Sequence, residues 1–477
     1  MKNLLRAMTA ILLVIVMTAT MAGCGDKQDP QSGVNDDFFA DEESRVSQST
    51  DSDSTSSSSD SGSAAPTSSV RAENTVNGKS WSQVLSSMPK ELRGTTVTIA
   101  NWNPMSEYTG ASAAIKEFQK QTGIKVDWQT IQYGIYTTRL ASMVASGNAP
   151  DVARTRTPNP AWMQSFQPLS AAGYDFTDAA WDQTLMKDYT VNGVTYATSL
   201  KGTHIGSVNM MFYNKDLISK YDFEDEDPYT LWKNGKWTMS KFISMCKEYK
   251  KVSNANFGCT GAYWEGWSEL YGIAGPVGYD GNQYYSNLSN SAFVTATQQI
   301  ADWYNKDKLL GWGRAEVFDA SESLFYAGAS VYLRRNNSYF GNLKSAGTLY
   351  AVPMPSVDGQ STYYQGRDEY EAYALVKGAK NAKAVPYFLR YFLDGSHYDL
   401  DSFFCNKQNL EVYNWCMSQT NTIWSTNYES AEDTFGDGKQ GLLSLQGSQI
   451  KSFLDSNAGM IDTRVRNFNN LVKQLQK

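Results

Sequence analysis

Residues 96–128 read TVTIANWNPMSEYTGASAAIKEFQKQTGIKVDW and predict a strand, a helix and a second strand. Residues 96–100 form a short run rich in β-branched side chains, as strands do. The segment 106–121 repeats apolar residues at helical spacing, and Gly123 supplies a helix stop. Residues 124–128 alternate apolar and polar side chains, which is the period of a strand. This β-α-β order is typical of α/β proteins.

The pattern continues with a second helix over 136–146, ended by Gly147, and a third strand that opens at 150–153. Strands that alternate with helices predict a parallel sheet with right-handed crossovers. Ligands of such sheets bind beyond the carboxyl ends of the strands. We therefore expect cleft residues beside the first and third strands, namely Trp102, Asn103, Asp151 and Arg154.

The N-terminal segment has the layout of a secretory signal peptide. Lys2 and Arg6 precede an apolar run from residue 7 to 22, shorter than the ~20 residues that cross a bilayer. An uncleaved anchor helix is the alternative. Residues 21–24, Met-Ala-Gly-Cys, resemble the bacterial lipobox. That resemblance implies a signal peptide over 1–23 and a lipoprotein with Cys24 acylated, for example by palmitate, and exported to the outer face of the cell membrane.

Residues 24–75 form a Ser- and Asp-rich stretch that we expect to be a disordered tether, because it cannot bury enough apolar surface to offset its ordering entropy. Residues 26–60 hold ten acidic and two basic side chains, whereas the whole chain has a net charge of −7. The acidity therefore belongs to the tether. The nearly neutral body has no basic patch that would indicate nucleic acid. A short helical lead-in is expected over 76–94.

Aromatic side chains make up 13% of the chain, with 13 Trp and 29 Tyr. Exposed aromatic faces bind sugar rings, peptides or other aromatics, although burial in the core explains most single aromatics. The Gly-rich loop 258–287 contains Tyr-Trp-Glu-Gly-Trp at 263–267, which we interpret either as a binding surface or as a packed apolar plug.

Four cysteines follow Cys24, and their even number permits two disulfides in an exported protein. Cys246–Cys259 and Cys405–Cys416 are the local pairings; isolated buried thiols are the alternative. The chain has no CxxC motif and only two histidines, His204 and His397, which argues against a zinc site.

Further helices and strands follow the first three strands. Thr238 is a suitable N-cap for a helix to about residue 250. Periodicity predicts further helices over 291–305, 382–393 and 462–475 and strands at 350–355 and 373–376.

Six stretches, in order along residues 95–477, resemble the extracellular solute-binding proteins of ABC importers (family 1, carbohydrate type). They are VTIANW at 97–102, GNAPDV at 147–152, MFYNKDL at 211–217, WTMSKF at 237–242, FYAGASVY at 325–332 with AVPMP at 351–355, and GAKNA at 378–382.

The resemblance implies an α/β, two-lobed periplasmic-binding-protein-like (type II) fold, each lobe a mixed sheet flanked by helices and joined by hinge crossings. On that resemblance we assign 95–205 plus 315–365 to lobe 1 and 206–314 plus 366–477 to lobe 2. It also implies a monomer that closes on a small-molecule solute, most simply a sugar or oligosaccharide, and then docks on the transmembrane subunits of an ABC permease. We expect no cofactor, no metal in the binding site and no nucleic-acid partner, while a structural calcium ion remains open.

The candidate ligand residues fall into three groups. We expect stacking on sugar faces from Trp102, Trp264, Trp267 and Tyr339. We expect hydrogen bonds to hydroxyls from Asn103, Asp151, Arg154, Glu265, Arg335 and Asn336. His204 lies near the first lobe crossing and Trp424 lies in a polar loop; each is a ligand candidate, with an ordinary structural role as the alternative.

Two other functions remain open at this point. Arg154 with Arg335 could bind a carboxylate or phosphate, so a peptide, amino acid or anionic metabolite is an alternative solute. A surface glycan hydrolase or adhesin is the second class, because carboxylates such as Glu265 and Glu269 occur, as do those at 369 and 371. The chain has no GxSxG, HExxH, Walker or strand-associated GxGxxG motif, and we therefore predict a binding protein and not an enzyme.

Overall fold

The computed structural model of this chain describes residues 78–108, 110–155, 160–201, 207–261, 267–273, 275–280, 283–335, 337–367, 372–397, 404–424 and 444–475. The predicted signal peptide, Cys24 and the tether lie outside these residues. Within them, no helix combines the length and the apolar character that crossing a membrane requires.

The helices alternate with the strands along most of the chain. They are α1 Trp81–Ser86, α2 Ala111–Thr122, α3 Tyr136–Ala145, α4 Pro160–Met163, α5 Gln183–Asp188, α6 Lys215–Lys220, α7 Pro228–Lys233, α8 Met239–Ser253, α9 Ser291–Asn305, α10 Ala315–Asp319, α11 Gly341–Ala346, α12 Val385–Phe392, α13 Lys407–Ser418 and α14 Gly447–Leu475.

The strands form two larger sheets and three short ribbons among the described residues. They are β1 Thr96–Asn101, β2 Lys125–Thr130, β3 Val152–Thr155, β4 Thr190–Val191, β5 Val194–Thr195, β6 Ala197–Thr198, β7 Asn209–Asn214, β8 Cys259–Gly261, β9 Val277–Tyr279, β10 Tyr284–Ser286, β11 Leu310–Trp312, β12 Phe325–Ala329, β13 Leu349–Pro353, β14 Gln365–Arg367, β15 Ala372–Leu375 and β16 Thr422–Trp424.

The first sheet has the order β2-β1-β3-β15-β6. Strands β1, β2 and β3 are parallel, as the β-α-β pattern predicts, and β15 joins β3 antiparallel. Helix α2 begins at Ala111, later than the predicted residue 106, because Met105–Glu107 forms a 3-10 turn and Gly110 adopts a φ of +88°. Its apolar face is buried, and Gly123 ends it in the left-handed region.

The second sheet has the order β11-β8-β12-β7-β13. Its strand β7 reads NMMFYN, is buried at every position, and pairs antiparallel with β12 on one side and β13 on the other. A strand that is buried on both faces suits a central place in a sheet covered by helices. We call each five-stranded sheet with its helices a lobe.

The strand pairing corrects the predicted lobe boundaries. Strands β12 and β13, assigned by the resemblance to lobe 1, pair with β7 in the second sheet. Strand β15, assigned to lobe 2, pairs with β3 in the first sheet, and α12 packs against α2 there. Period-two burial identifies a strand, but it does not specify which neighbour that strand pairs with.

The chain connects the lobes repeatedly. It passes from the first to the second between β6 and β7, returns between β13 and β15, and leaves again between α12 and α13, which packs on β13. Helix α14 is longer than predicted, with 29 residues. It packs against α9 of the second lobe and α4 of the first, and Tyr196 donates to the carbonyl of Leu475 at 3.1 Å. These crossings are where a hinge motion would be absorbed.

None of the four described cysteines forms a disulfide. Neither of the local pairings that the sequence permitted is formed. Cys246, Cys259 and Cys416 are buried in apolar surroundings, in agreement with the alternative of isolated buried thiols, while Cys405 is partly exposed.

Candidate functional site

The carboxyl edge of the first sheet begins the candidate site. Strand β1 ends at Asn101, whose buried side chain accepts a hydrogen bond from the backbone N–H of Asn103 at 3.0 Å. This Asx turn redirects the chain directly after the strand. The amide of the same side chain donates to the Tyr108 hydroxyl at 3.1 Å, so the turn also fixes the position of Tyr108.

Trp102 lies at the centre of an aromatic cluster at this edge. Its ring meets Tyr133, Tyr136 and Trp162 edge-on, with centroid distances of 5.8, 5.0 and 6.4 Å. The guanidinium of Arg154 lies over the Trp102 ring, with Cζ 4.0 Å from the centroid. A cation on the face of tryptophan is attracted by the ring quadrupole, so Trp102 supports Arg154.

Arg154 is held from several directions although it is only 1% exposed. Its Nη1 donates to the Tyr108 hydroxyl at 3.3 Å. The Tyr136 hydroxyl donates to the carbonyls of Ala100 and Arg154, each at 2.9 Å, and ties β1 to β3. Burial raises the pKa of Tyr136 far above its ordinary value, so this phenol remains a donor.

The second lobe contributes Arg334 to the same place. A 3-10 turn, Ser330–Leu333, follows β12, and Arg334 comes directly after it. Arg334 is 5% exposed. Its Cζ lies 6.0 Å from the centroid of the Tyr108 ring. Tyr108 therefore contacts an arginine from each lobe, and this contact marks the cleft between them.

The loop after Arg334 is fixed by side chains from elsewhere in the second lobe. Lys344 donates to the carbonyls of Arg334 and Asn337, both at 2.8 Å. The Cys405 thiol donates to the carbonyl of Leu333 at 3.0 Å. The Tyr339 ring packs against the Tyr332 ring in a tilted arrangement with a centroid distance of 4.5 Å, and both residues are partly exposed.

A buried polar cluster lies where two crossing segments meet. Glu269, 1% exposed, accepts a hydrogen bond from Asn209 at the start of β7 at 2.7 Å. Gln365 of β14 donates to the Asn209 carbonyl at 2.9 Å. A Cβ on Gly366 would lie 1.9 Å from the Glu269 carboxylate, so this close approach requires glycine. The Glu269 carboxylate is therefore bound by the Asn209 amide and has a structural role at the crossings.

No group of three or more His, Cys, Asp or Glu side chains within the described ranges is arranged to hold a metal ion. The site just described instead consists of aromatic rings, guanidinium groups and neutral polar groups. Such groups can cover the apolar face of a small molecule and donate hydrogen bonds to its oxygens.

Comparison with known proteins decides the family. The family model described as bacterial extracellular solute-binding protein matches residues 113–398, more than half of the chain. The chain belongs to this family. The sequence-based identification is thereby confirmed, and family members are binding proteins of ABC transporters.

Among curated proteins, this solute-binding protein is similar to the sn-glycerol-3-phosphate-binding periplasmic protein UgpB of Pectobacterium atrosepticum. The two are 23% identical over 285 residues, which cover 54% of this chain and 60% of the relative. The match therefore spans less than two thirds of that relative's length.

Solved structures of similar fold include the GacH receptor of Streptomyces glaucescens, studied unliganded and with acarbose (TM-score 0.57, 16% identity, 80% of this chain and 98% of that one). They also include the galacto-N-biose-/lacto-N-biose I-binding protein of the ABC transporter of Bifidobacterium longum, in complex with lacto-N-biose (TM-score 0.59, 16% identity, 78% and 98%). These neighbours confirm the two-lobed periplasmic-binding-protein-like fold.

The solute-binding protein brings two of the predicted ligand residues, Trp102 and Arg154, into direct contact at the cleft. Asn103 follows Trp102 and is partly exposed; its carbonyl accepts from the Trp128 indole at 3.2 Å. Arg335 is exposed next to Arg334, and Tyr339 lies in the same loop. Ligand contact by these residues stays a prediction.

Asp151 and Trp267 require correction. Asp151 precedes β3 and so lies at the amino edge of the sheet, where its carboxylate accepts from the backbone N–H groups of Thr98 at 3.0 Å and Asn381 at 2.6 Å. Trp267 is 1% exposed; it stacks on Phe242 and donates to the Tyr304 hydroxyl at 3.1 Å. Both side chains are engaged within one lobe: Asp151 binds backbone amides at the edge of the sheet opposite to the predicted one, and Trp267 packs in the core of the second lobe.

The remaining predictions fall on residues that the structure does not describe. They concern His204, Trp264, Glu265, Asn336 and the side chain of Trp424.

Sequence reasoning missed Tyr108, Arg334 and Lys344. Arg334 comes two residues after the stretch 325–332 that carries the family resemblance, but the prediction chose Arg335 there. Alternation along the preceding strand does not continue through the 3-10 turn, so it could not tell which arginine points inward.

Proposed function

We propose that this protein is an extracellular receptor that binds a sugar or oligosaccharide in the cleft between its lobes and delivers it to an ABC permease. The observation that carries the proposal is the position of Tyr108 between Arg154 of the first lobe and Arg334 of the second. A ligand that contacts groups from both lobes stabilises the closed form, because closure adds contacts that the open form lacks.

The chemistry of the site supports a saccharide. Sugar rings have apolar faces that pack on aromatic side chains, and their hydroxyls accept hydrogen bonds from the fork of donors of an arginine. Trp102, Tyr108 and the Tyr332–Tyr339 pair supply rings beside Arg154 and Arg334. The relatives support the same class, since acarbose and lacto-N-biose are ligands of the similar receptors.

A phosphorylated polyol is the second candidate. Two buried guanidinium groups at one tyrosine are suited to a phosphate, which accepts paired N–H donors from arginine. The curated relative binds sn-glycerol 3-phosphate. This solute would use the same cleft but would bind with an affinity that falls with rising salt concentration.

A screen by thermal denaturation tests the function. The full chain is melted with millimolar maltose, maltotriose, lacto-N-biose, acarbose or sn-glycerol 3-phosphate. A solute at one hundred times its Kd stabilises the native state by about 2.7 kcal/mol, which raises the melting temperature by several degrees. The variant Arg334→Met, melted in parallel, should keep about half of this stabilisation or less, because a tenfold weaker affinity lowers it to about 1.4 kcal/mol. If no sugar shifts the wild type while the phosphate does, the second candidate replaces the first.

We further propose that the receptor is a monomer held at the outer face of the cell membrane by acylated Cys24. One acyl chain gives only reversible membrane binding, and a multiply acylated cysteine holds a protein stably. Intact-mass spectrometry of the detergent-extracted protein should show Cys24 as the modified N-terminal residue. An unmodified N-terminus downstream of Cys24 would make the protein a freely secreted binder.

The receptor is proposed to bind without turnover. The Glu269 carboxylate accepts a hydrogen bond from the Asn209 amide in the buried polar cluster, which gives it a structural role. A chromogenic glycoside offered to the wild type and to Glu265→Gln decides this point: release of the chromophore that depends on Glu265 would establish a hydrolase.

A further inference from the structure

Lys344 links helix α11 to the turn that follows β12 in the second lobe. It lies on the short helix α11, and its ammonium donates to the carbonyl oxygens of Arg334 and Asn337, both at 2.8 Å. These carbonyls belong to the turn that follows the 3-10 segment after β12. Lys344 therefore contacts the backbone of the same residue whose guanidinium faces Tyr108 across the cleft.

Lys344 closes a turn between Arg334 and Asn337. The Asn337 N–H donates to the Arg334 carbonyl at 3.0 Å, and the Asn337 side chain accepts from the Tyr339 N–H at 2.9 Å. The Arg334 carbonyl thus accepts from both Asn337 and Lys344. Without the ammonium, the carbonyls of Arg334 and Asn337 would both lose the donor that ties them to α11.

The environment of Lys344 indicates that this contact is built in. Burial lowers the pKa of Lys344 to about 8, while the Cys405 thiol and the Asp319 carboxylate act in the opposite direction. A buried ammonium is tolerated only where it has hydrogen-bond partners, so the two carbonyls compensate for its desolvation. Asp319 also caps α11, because it accepts from the N–H groups of Asn342 and Leu343, each at 3.1 Å.

We propose that Lys344 is a positioning residue of the solute site, which fixes the backbone at Arg334 and Asn337 so that the Arg334 side chain faces Tyr108 and the bound solute. The inference rests on the proposed function, since it assumes that Arg334 contacts the solute. The inference goes beyond the proposed function because it assigns a role in binding to Lys344, which acts through the backbone of Arg334.

Three variants separate positioning from general stability. Lys344→Met keeps the length of the side chain and removes its donors. Lys344→Arg keeps a cation with several donors that can reach both carbonyls. Lys251→Met is the matched control, since Lys251 is largely exposed on α8 and pairs only with Glu248 among the described residues, at 3.5 Å.

Two measurements are made on each full-length variant. Hydrogen exchange of peptides that cover 331–340 reports the turn, and calorimetric titration reports affinity for whichever of maltose, maltotriose, lacto-N-biose or acarbose the wild type binds most tightly. In Lys344→Met, exchange at the Asn337 amide should accelerate and affinity should fall about tenfold, equivalent to about 1.4 kcal/mol. Lys344→Arg should recover most of the affinity, and Lys251→Met should match the wild type.

The outcomes distinguish the two hypotheses. If the wild type binds a sugar and Lys344→Met binds it equally well, the positioning role is overturned while the function stands. If Lys344→Arg is as weak as Lys344→Met although both melt like the wild type, the contact of a cation with the two carbonyls is not what positions Arg334, and the inference is also overturned. If the wild type binds no sugar of the panel, the proposed function fails, and unchanged exchange at 334–337 in Lys344→Met overturns the positioning role independently.

Discussion

The guanidinium of Arg334 lies over the ring of Tyr108, with 6.0 Å between Cζ and the ring centroid. Tyr108 follows β1 of the first sheet and Arg334 follows β12 of the second, so the contact joins the carboxyl ends of strands in both lobes. On the other side, the Tyr108 hydroxyl accepts from Arg154. The two lobes thus share one aromatic ring at the place where a solute would be enclosed.

Replacing Arg334 by methionine should weaken solute binding by at least about tenfold, equivalent to about 1.4 kcal/mol. The variant removes the donors that the second lobe presents to the cleft, while the stem still packs beside Tyr108. Calorimetric titration with the best sugar of the panel measures the loss. Unchanged affinity would place the solute away from this arginine, and Arg314→Met, on an exposed arginine of the same lobe, is the control.

Replacing Tyr108 by phenylalanine should separate the ring from its hydroxyl. The ring remains beside Arg334, but the amide of Asn101 and Nη1 of Arg154 both lose an acceptor. Loss of a partner by a buried donor costs about 1–3 kcal/mol, so we expect a lower melting temperature and a several-fold loss of affinity. Tyr108→Ala should bind more weakly still. Tyr285→Phe, at a ring that is 42% exposed, should behave like the wild type.

Periodicity predicted the strands and helices, but it did not predict which strands pair with each other. The run 96–128 gave the correct β-α-β order because local burial determines the spacing of apolar residues. The family resemblance assigned β12, β13 and β15 to the wrong lobes. The sequence did not correct it, because a fully buried strand such as AYAL at 372–375 does not indicate which sheet it joins. Partner choice is settled by long-range packing.

The sequence predicted only part of the candidate site. The rule that ligands bind at carboxyl ends located Trp102 and Arg154, and it misplaced Asp151 because that residue precedes its strand. Tyr108 escaped attention because it comes seven residues after β1 and reaches the cleft only through the turn at Asn101. Trp267 could not be told from an exposed tryptophan, since composition reports aromatic content and not orientation.

Replacing Gly366 by alanine should destabilise the crossing segments. The new Cβ would lie 1.9 Å from the Glu269 carboxylate and 2.8 Å from the Asn209 amide, so the buried cluster must shift. Overpacking of this kind costs about 1–3 kcal/mol, measured by urea unfolding.

A double-mutant cycle with Glu269→Ala tests the cause. Because Glu269→Ala removes the carboxylate that the Cβ would meet, Gly366→Ala should cost less in that background, with a coupling of about 0.5–3 kcal/mol. Gly459→Ala on α14 is the control, since its added Cβ meets nothing within 4 Å beyond the adjacent backbone of its own helix. Additive costs for the pair would show that Gly366 is required for another reason.

The contribution of Lys344 to the free energy of unfolding should become more favourable as the pH rises from about 8 to about 10.5. Burial lowers the pKa of Lys344 to about 8 in the folded protein from the ordinary 10.5. In this window the folded state has released the proton that the unfolded state still binds, so stability rises with pH. The shift corresponds to an upper limit of about 3 kcal/mol relative to Lys344→Met, a variant that cannot titrate.

Cys405 must be silenced to measure this difference, because burial raises the pKa of its thiol and it titrates nearby. Both proteins therefore carry Cys405→Ser, whose hydroxyl keeps a donor for the Leu333 carbonyl. Urea unfolding at successive pH values gives the free energy of unfolding of the protein with Lys344 and of the Lys344→Met variant. The first value minus the second should increase from pH 8 upward and become constant beyond 10.5. A difference that stays constant would mean that the Lys344 ammonium keeps its ordinary pKa, and that the two carbonyls hold it charged throughout.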